Sequence, residues 1–252
     1  MNSVHAYTTR VAGPYQSQHG EDRWLEHYFK GRREGGFVEV GAYDGIVLSN
    51  TFFLETVGWR GILVEPHPEK AARCRENRPL ARVFECAAVG PGGASVVTFD
   101  VVDGGEVYST SAMSAEHAAR LRSYGLRSRQ IEVRAQTLDS ILEEAQLPRL
   151  DYASIDVEGA ELEVLRGFDL RRWRPSVVMI EVNDRIRKRA IRDVFVSSGY
   201  VYLRRIGINE VYVPLTHFKS LARAVDGVRY TAALLWRACA RVTRLFRRQQ
   251  PG

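Results

Sequence analysis

A regular alternation of short apolar runs with amphipathic stretches is the sequence feature that most constrains this fold. Apolar runs over residues 36–41, 61–66 and 82–90 each end at glycine or proline, and helix-like stretches over 48–57 and 69–78 separate them. Near-continuous apolar runs of this length are typical of strands buried on both faces of a parallel sheet. The alternation therefore predicts an α/β fold with helices on both faces of the sheet.

The same alternation resumes in the second half of the chain, after Thr137, a predicted helix N-cap. Two more parallel strands, two helices and a terminal antiparallel hairpin are predicted there. Together with the first three strands, they would form a mostly parallel seven-stranded sheet. The predicted strands cover 151–156 and 176–182, the helices 160–167 and 184–198, and the hairpin strands 200–205 and 210–213.

Three segments depart from this rhythm and set the predicted domain organisation. Residues 92–136 contain two β runs around a stretch of weak periodicity, 107–126, and are predicted to be an insertion with β structure and a mobile loop. Residues 1–35 are predicted to form an N-terminal lid or cap, and residues 36–215 the Rossmann-like domain. Residues 216–252 are predicted to form a basic, amphipathic helical tail.

The charge of the chain is concentrated in that tail. The net charge is +6, but residues 219–248 carry eight Lys or Arg and one acid, so the rest of the chain has a net charge of −1. A nearly neutral catalytic part argues against a nucleic-acid groove. For the tail, three interpretations remain open: packing on its own domain, pairing in a homodimer, and peripheral contact with a membrane.

Cysteine use and the first residues predict a cytoplasmic protein. Cys74, Cys86 and Cys239 fit neither a zinc pattern nor a disulfide framework. We detect no apolar signal segment at the N-terminus and no apolar stretch long enough to span a bilayer.

The loop Gly41-Ala42-Tyr43-Asp44-Gly45 follows the first predicted strand, at the sheet edge where such folds bind ligands. It lacks the Gly-x-Gly-x-x-Gly pattern that brings a pyrophosphate onto a helix N-terminus. Glu39 and Asp44 would repel a pyrophosphate by about a kcal/mol each. The loop therefore favours a cationic, phosphate-free nucleoside such as S-adenosylmethionine over NAD or FAD. Alternatively, Asp44 simply forms the turn.

Glu65 ends the second predicted strand, 24 residues after Gly41. A carboxylate at this position can accept both ribose hydroxyls of a nucleoside. The alternative is a solvated acid at the end of a strand.

An ordered series of motifs extends over about residues 15–213. The motifs are Ser17-Gln18-His19-Gly20-Glu21-Asp22, Phe37-Val38-Glu39-Val40-Gly41-Ala42-Tyr43-Asp44-Gly45, Ser49-Asn50-Thr51, Gly58-Trp59-Arg60-Gly61-Ile62-Leu63-Val64-Glu65-Pro66 and Ile155-Asp156-Val157-Glu158-Gly159-Ala160-Glu161. The series resembles the FkbM family of methyltransferases. The resemblance implies the Rossmann-like fold of class I methyltransferases and methyl transfer from S-adenosylmethionine, usually to a hydroxyl.

The chain departs from the family pattern at three positions. The family more usually has Asp where Glu39 stands, Asn where Tyr43 stands and Lys where Ser154 stands. The predicted cofactor-binding residues, besides the glycine loop and Glu65, are Gln18, Glu21, Asp22, Glu39, Ser49, Asn50, Pro66, Ala87, Ala88 and Asp156.

Methylation of a hydroxyl requires a group that removes its proton. Asp156 ends the fourth predicted core strand and is the first candidate for the base. Glu158, Glu181 and His19 are the other candidates, although Asp156 could instead hold the methionine ammonium group and His19 could be a positioning donor. Carboxylates of this kind also bind Mg²⁺, so a divalent metal remains an open alternative, although no metal-ligand spacing indicates one.

The expected function is O-methylation of a hydroxyl on a sugar of a glycolipid, polysaccharide or glycosylated natural product, which is the type of acceptor that the resemblance implies. A small-molecule or glycan partner is therefore expected, and no nucleic acid. The alternatives are a methyltransferase for a polyketide, protein or nucleic acid, and a non-catalytic S-adenosylmethionine-binding protein.

Overall fold

The computed structural model describes residues 13–182 and 185–218 of the chain. A seven-stranded sheet lies at its centre, with strand order β3-β2-β1-β7-β8-β10-β9. The pairs among β1, β2, β3, β7 and β8 are parallel, while β10 is antiparallel to both neighbours. The strands are β1 Gly36–Val40, β2 Arg60–Val64, β3 Arg82–Phe84, β7 Tyr152–Ile155, β8 Val177–Glu181, β9 Tyr200–Ile206 and β10 Asn209–Pro214. The predicted α/β fold with a terminal hairpin is confirmed.

Helices cover both faces of this sheet, as two hydrophobic clusters show. Val38 and Ile62 belong to one cluster, and their strand neighbours Phe37 and Leu63 belong to the other. This alternation is what a strand buried on both faces requires. The helices are α1 Glu21–Tyr28, α2 Phe52–Thr56, α3 Pro68–Asn77, α4 Ala115–Ser123, α5 Leu138–Ala145, α6 Glu161–Arg166, α7 Leu170–Trp173 and α8 Arg185–Ser197.

The insertion forms a second, three-stranded sheet. Strand β6, Arg127–Gln136, pairs antiparallel with β5, Val96–Asp103, and parallel with β4, Ala87–Ala88. The β structure predicted for the insertion is therefore confirmed. The stretch predicted to be a mobile loop contains a 3-10 turn over 106–108 and the helix α4, and its mobility stays a prediction. The Ser114 hydroxyl accepts the N–H of His117 and caps this helix.

Two further predictions of element boundaries are corrected. The run 82–90 is not one strand, because the chain leaves β2 after Phe84 and pairs with β6 at Ala87. The helix predicted from residue 48 begins only at Phe52, since the residues before it hydrogen-bond to Glu39. The Thr137 cap is confirmed, with the N–H of Ser140 donating to its hydroxyl.

The loops that follow the carboxyl ends of the parallel strands, which we call the carboxyl edge of the sheet, are acidic. At the carboxyl edge, the loops 41–47, 65–67 and 156–160 contain four acids and no Lys or Arg.

Among the described residues, no helix is long and apolar enough to cross a membrane. The tail predicted from residue 216 is described only to 218, so its amphipathic character lies outside the described residues.

Candidate active site

A cavity with two lobes lies along the carboxyl edge, and both lobes contact Gly41, Tyr43, Asp156 and Glu158. Residues of the insertion form part of its wall. The first lobe is also lined by Glu65, Pro66, Cys86, Ala87, Ala88, Phe99, Glu106, Val107, Ser109 and Ser111. The second lobe is also lined by Gln18, Glu39, Ala42, Ser49, Asn50, Arg120, Ser154, Glu181 and Ile208.

The glycine loop brings bare backbone to the cavity. Gly41 follows β1 with a φ of +86°, which glycine adopts without the steric cost that an L side chain would meet. Its N–H and that of Ala42 donate to the Val64 carbonyl at 2.9 and 3.2 Å. The loop is thereby fixed to the end of the neighbouring strand β2.

Glu65 joins this loop to the first lobe. Its two carboxylate oxygens accept the N–H groups of Tyr43 and His67, each at 2.8 Å. Burial raises the pKa of Glu65 to about 7, although both N–H groups favour the charged form. A carboxylate has about four acceptor positions, so those left over could accept ribose hydroxyls.

Glu39 is the centre of a buried hydrogen-bond network. Its carboxylate accepts the hydroxyls of Ser49 and Thr51 and the backbone N–H of Asn50, at 2.6–2.7 Å. Arg78 lies 3.8 Å away and opposes the rise in the pKa of Glu39 that burial causes. Glu39 lines the second lobe, but these partners occupy both of its oxygens.

The other acid of the loop forms a turn. One carboxylate oxygen of Asp44 accepts the N–H groups of Ile46 and Val47, at 2.9 and 2.8 Å. Neither Asp44 nor Gly45 is among the residues that line the cavity. Gly45 instead packs against Arg78. Asp44 and Gly45 therefore have a structural role in the loop, and their cofactor contacts stay a prediction.

Three carboxylates converge where the strands β7 and β8 end. Oxygen atoms of Asp156, Glu158 and Glu181 lie within 4.8 Å of one another. Burial raises the pKa of Asp156 well above its usual range, and the charge and hydrogen bond of Glu181 raise it further. A second carboxylate so close favours the protonated form of Asp156. Burial and the charge of Glu181 raise the pKa of Glu158 to about 7.

Helix α4 contributes a cation to this acidic end of the cavity. Arg120 donates to Glu158 at 2.8 Å and lies 3.1 Å from Nδ1 of His117. The other ring nitrogen, Nε2, lies 2.8 Å from the Tyr108 carbonyl, which can only accept. We therefore assign the proton to Nε2, so that Nδ1 accepts from Arg120. Burial lowers the pKa of His117 and keeps the ring neutral.

Arg120 also lines a cleft between α4 and α8. This cleft shares Arg120, Glu158 and Glu181 with the second lobe. On the side of α8, it is lined by Arg187 and Ile191. The pair of Arg120 and Glu158 therefore lies where the cleft meets the cavity.

Tyr43, one of the family departures, links the loop to the insertion. Lys70 donates to the Tyr43 hydroxyl at 3.0 Å and lies 4.2 Å from the centre of its ring. Lys70 also lies 3.9 Å from Glu106 of the insertion. These contacts connect the glycine loop and α3 to Glu106, an insertion residue that lines the first lobe.

The sequence model described as the methyltransferase FkbM domain matches residues 39–202. This chain belongs to the FkbM methyltransferase family. The matched residues include the glycine loop, Glu65 and the three converging carboxylates. No curated protein sequence matches the chain.

Solved structures with a similar fold include other methyltransferases at low identity. The precorrin-6y C5,15-methyltransferase of Geobacter metallireducens GS-15 is 10% identical, with a TM-score of 0.43 over 81% of this chain and 91% of that one. The ribosomal protein L11 methylase of Lactobacillus delbrueckii subsp. bulgaricus is 11% identical, with a TM-score of 0.42 over 77% and 76% of the two chains.

The N-terminal motif of this FkbM methyltransferase contributes less to the cavity than predicted. Only Gln18 lines it. The carboxylate of Glu21 accepts from the His19 N–H and from the Asn209 side chain, and Asp22 accepts the N–H groups of residues 16 and 17. Glu21 and Asp22 are almost fully buried and hold the N-terminal segment in place, and their predicted cofactor contacts stay a prediction.

His19 is also outside the cavity. Its ring packs against Gly207 in the terminal hairpin, where an added Cβ would lie 1.9 Å from the ring. It is therefore not placed to act as the base. Whether residues 1–35 move as a lid stays a prediction.

Sequence reasoning missed the cavity residues of the insertion, above all Glu106, Ser109 and Arg120. Weak periodicity hid the helix that carries Arg120, although Ser114 three residues before His117 was a usable N-cap signal. Cys86 was interpreted only as a buried thiol, but it also lines the first lobe.

The sequence shows no metal-ligand spacing, but the fold brings three carboxylates together. Asp156, Glu158 and Glu181 come from two strand ends, so their convergence is visible only in the fold. Carboxylate oxygens are ligands that Mg²⁺ accepts, and these three could hold such an ion.

Proposed function

We propose that this FkbM methyltransferase uses S-adenosylmethionine to methylate a hydroxyl on a sugar, in a glycolipid, polysaccharide or glycosylated natural product. The observation that carries the proposal is the position of Asp156 on the cavity wall. Burial and the nearby Glu181 raise the pKa of its carboxyl group.

The residues of the first lobe fit the proposed cofactor. Glu65 would accept the ribose hydroxyls, and the bare backbone of Gly41 allows close approach of a ligand. The acids of the carboxyl edge suit a cation and disfavour a pyrophosphate. When bound, S-adenosylmethionine supplies an electrophilic methyl group on a positively charged sulfur.

Asp156 would take the proton of the acceptor hydroxyl. A hydroxyl is a weak nucleophile while neutral, and a positioned base typically contributes about 10²–10⁴-fold to the rate. The raised pKa of Asp156 makes its ionised form a stronger base than an exposed aspartate. Asp156 would act as the base in its ionised form, which its raised pKa makes the less populated form of the free protein.

The cleft between α4 and α8 would hold the rest of the acceptor. It joins the second lobe at Arg120 and Glu158, beside Asp156. Its Arg120 and Arg187 side chains are donors that suit the many oxygens of a sugar. The near-neutral charge of the chain outside the tail supports a glycan rather than a nucleic acid.

The proposal is tested with S-adenosylmethionine carrying a labelled methyl group. The protein is incubated with a panel of methyl glycosides, polyketide alcohols, RNA and protein, and products are identified by mass spectrometry and NMR. We expect a methyl ether on a sugar carbon. Methylation of a nitrogen in RNA or protein would contradict the proposed acceptor. Failure of S-adenosylhomocysteine to bind in calorimetry would contradict the proposed cofactor.

A further inference from the structure

The amino edge of the sheet, opposite the cavity, is strongly basic. We define it by the four loops that precede β1, β2, β7 and β8, which are residues 29–35, 57–60, 146–151 and 170–176. These loops contain eight Lys or Arg and two acids, a net charge of +6. They lie together, since Trp59 donates to the Arg32 carbonyl at 2.9 Å and the Arg149 carbonyl approaches Gly36.

Most of this positive charge is not neutralised within the protein. Asp151 pairs with Arg32 and Arg149, and Glu143 pairs with Arg172. Five exposed cations remain that have no ion-pair partner in the part of the chain that the structure describes. They are Lys30, Arg33, Arg60, Arg171 and Arg174.

The basic tail leaves the domain at this same edge. The Leu215 N–H donates to the Gly199 carbonyl at 2.9 Å. Tyr200, which follows Gly199, donates its hydroxyl to the carbonyl of Pro175 in the segment 170–176, at 2.8 Å. The described chain ends three residues after Leu215. The described chain therefore ends beside a basic face, and the sequence that follows, residues 219–248, has a net charge of +7.

We propose that the amino edge is a docking surface for a membrane rich in anionic phospholipid. Its cations come from loops at four adjacent strands, about 15 Å across, so they cover a broad face rather than a narrow groove. The exposed aromatic residues of the described chain, Tyr124 and Tyr202, lie outside these loops, and Phe29 and Trp173 within them are half-buried, which disfavours a surface for stacking bases. Juxtaposed basic residues and a basic tail are typical of proteins that bind anionic membranes.

This orientation would turn the catalytic cavity away from the lipid. Five residues of strand separate the two edges, or about 16 Å. The protein would bind the surface while its cavity stays open to water. The proposal is independent of the proposed methyl acceptor.

The test uses the full chain and vesicles of phosphatidylserine and phosphatidylcholine. The edge variant K30Q/R33Q/R60Q/R174Q is compared with R73Q/R122Q/R127Q/R204Q, which removes the same charge from exposed positions outside the four loops. A Lys or Arg near an anionic surface contributes a factor of about five to binding, so co-sedimentation should fall on the order of several hundred-fold in the edge variant. The control should lose less than about tenfold.

Two further measurements separate charge from folding. The variant R33K/R60K/R174K keeps the charge and should bind like the parent protein. Binding of the parent protein should be lost at about 1 M salt, where the Debye length is about 3 Å. Thermal unfolding of each variant checks that the fold is kept.

Several outcomes would overturn the proposal. They are no binding of the parent protein to anionic vesicles, equal losses in the edge and control variants, and unchanged binding of the edge variant. Displacement from the vesicles by RNA or DNA at an equal phosphate concentration would assign the surface to nucleic acid instead.

Discussion

A Cβ added at Gly41 would lie 1.7 Å from the carbonyl oxygen of Asp156. The loop at the end of β1 and the motif at the end of β7 are therefore in direct backbone contact. The shape of the first lobe and the position of the proposed base depend on one another through this contact.

Replacing Gly41 should disrupt the site through backbone repulsion. We expect Gly41→Ala to lower the free energy of unfolding by more than about 3 kcal/mol, because it adds a clash to the cost of a positive φ. Gly20→Ala is a matched control, since Gly20 has a φ of +82° and open space around it. It should cost only about 1–2 kcal/mol. Urea denaturation measures both, and equal losses would contradict the role of the contact.

Arg78 should be a large contributor to stability although it lies outside the cavity. It is 1% exposed, donates to Glu55 at 2.8 Å and to the Gly45 carbonyl at 2.9 Å. Breaking a buried ion pair leaves an uncompensated charge, so Arg78→Gln should cost about 3–5 kcal/mol in urea denaturation. The control Arg75→Gln breaks an exposed pair with Glu85 and should cost about 1 kcal/mol or less.

Asp156 should affect catalysis much more than binding of the cofactor product. Asp156→Asn should lower kcat for methyl transfer by about 10²–10⁴-fold, because the amide cannot accept the hydroxyl proton. The Kd for S-adenosylhomocysteine should change by less than about tenfold. Asp193→Asn, at an exposed position on α8, is the control and should leave both values unchanged. An active Asp156→Asn protein would remove Asp156 from the role of base.

Glu65 should make nucleoside binding depend on pH. Ribose hydroxyls donate to the ionised carboxylate, so the affinity for S-adenosylhomocysteine should rise as pH increases through about 7 and then level off. Binding near that pH should release a proton, which calorimetry in buffers of different ionisation enthalpy measures. Glu65→Gln should bind more weakly and show a flatter pH profile. A parent protein with no pH dependence would contradict the assignment.

The same raised pKa has the opposite effect on the stability of the free protein. The folded state holds the Glu65 proton more tightly than the unfolded chain, whose ordinary value is 4.5. This contribution to stability is complete below about pH 4.5 and is lost as pH rises through about 7. Thermal unfolding across this range should show a smaller decline in Glu65→Gln.

The existence of most strands was predictable because apolar runs and glycine turns act over short distances along the chain. Gly41 and Glu65 follow consecutive strands, so the parallel sheet had to bring them to one edge. Asp44 shows the limit, since the sequence could not tell an acid that faces a ligand from one that forms its own turn. The same limit applies to Glu21 and Asp22, whose partners at residues 16–19 and 209 depend on the fold.

The sequence by itself determined the α/β fold, the family and the acidic edge that suits a cationic cofactor. These follow from local periodicity and from motifs whose spacing the chain preserves. Only the tertiary structure decided that Glu181 reaches Asp156, that Arg120 reaches Glu158 and that the basic loops share one edge. Each of these depends on residues far apart in the chain, and the positions of their charges are set by how the strands and helices pack.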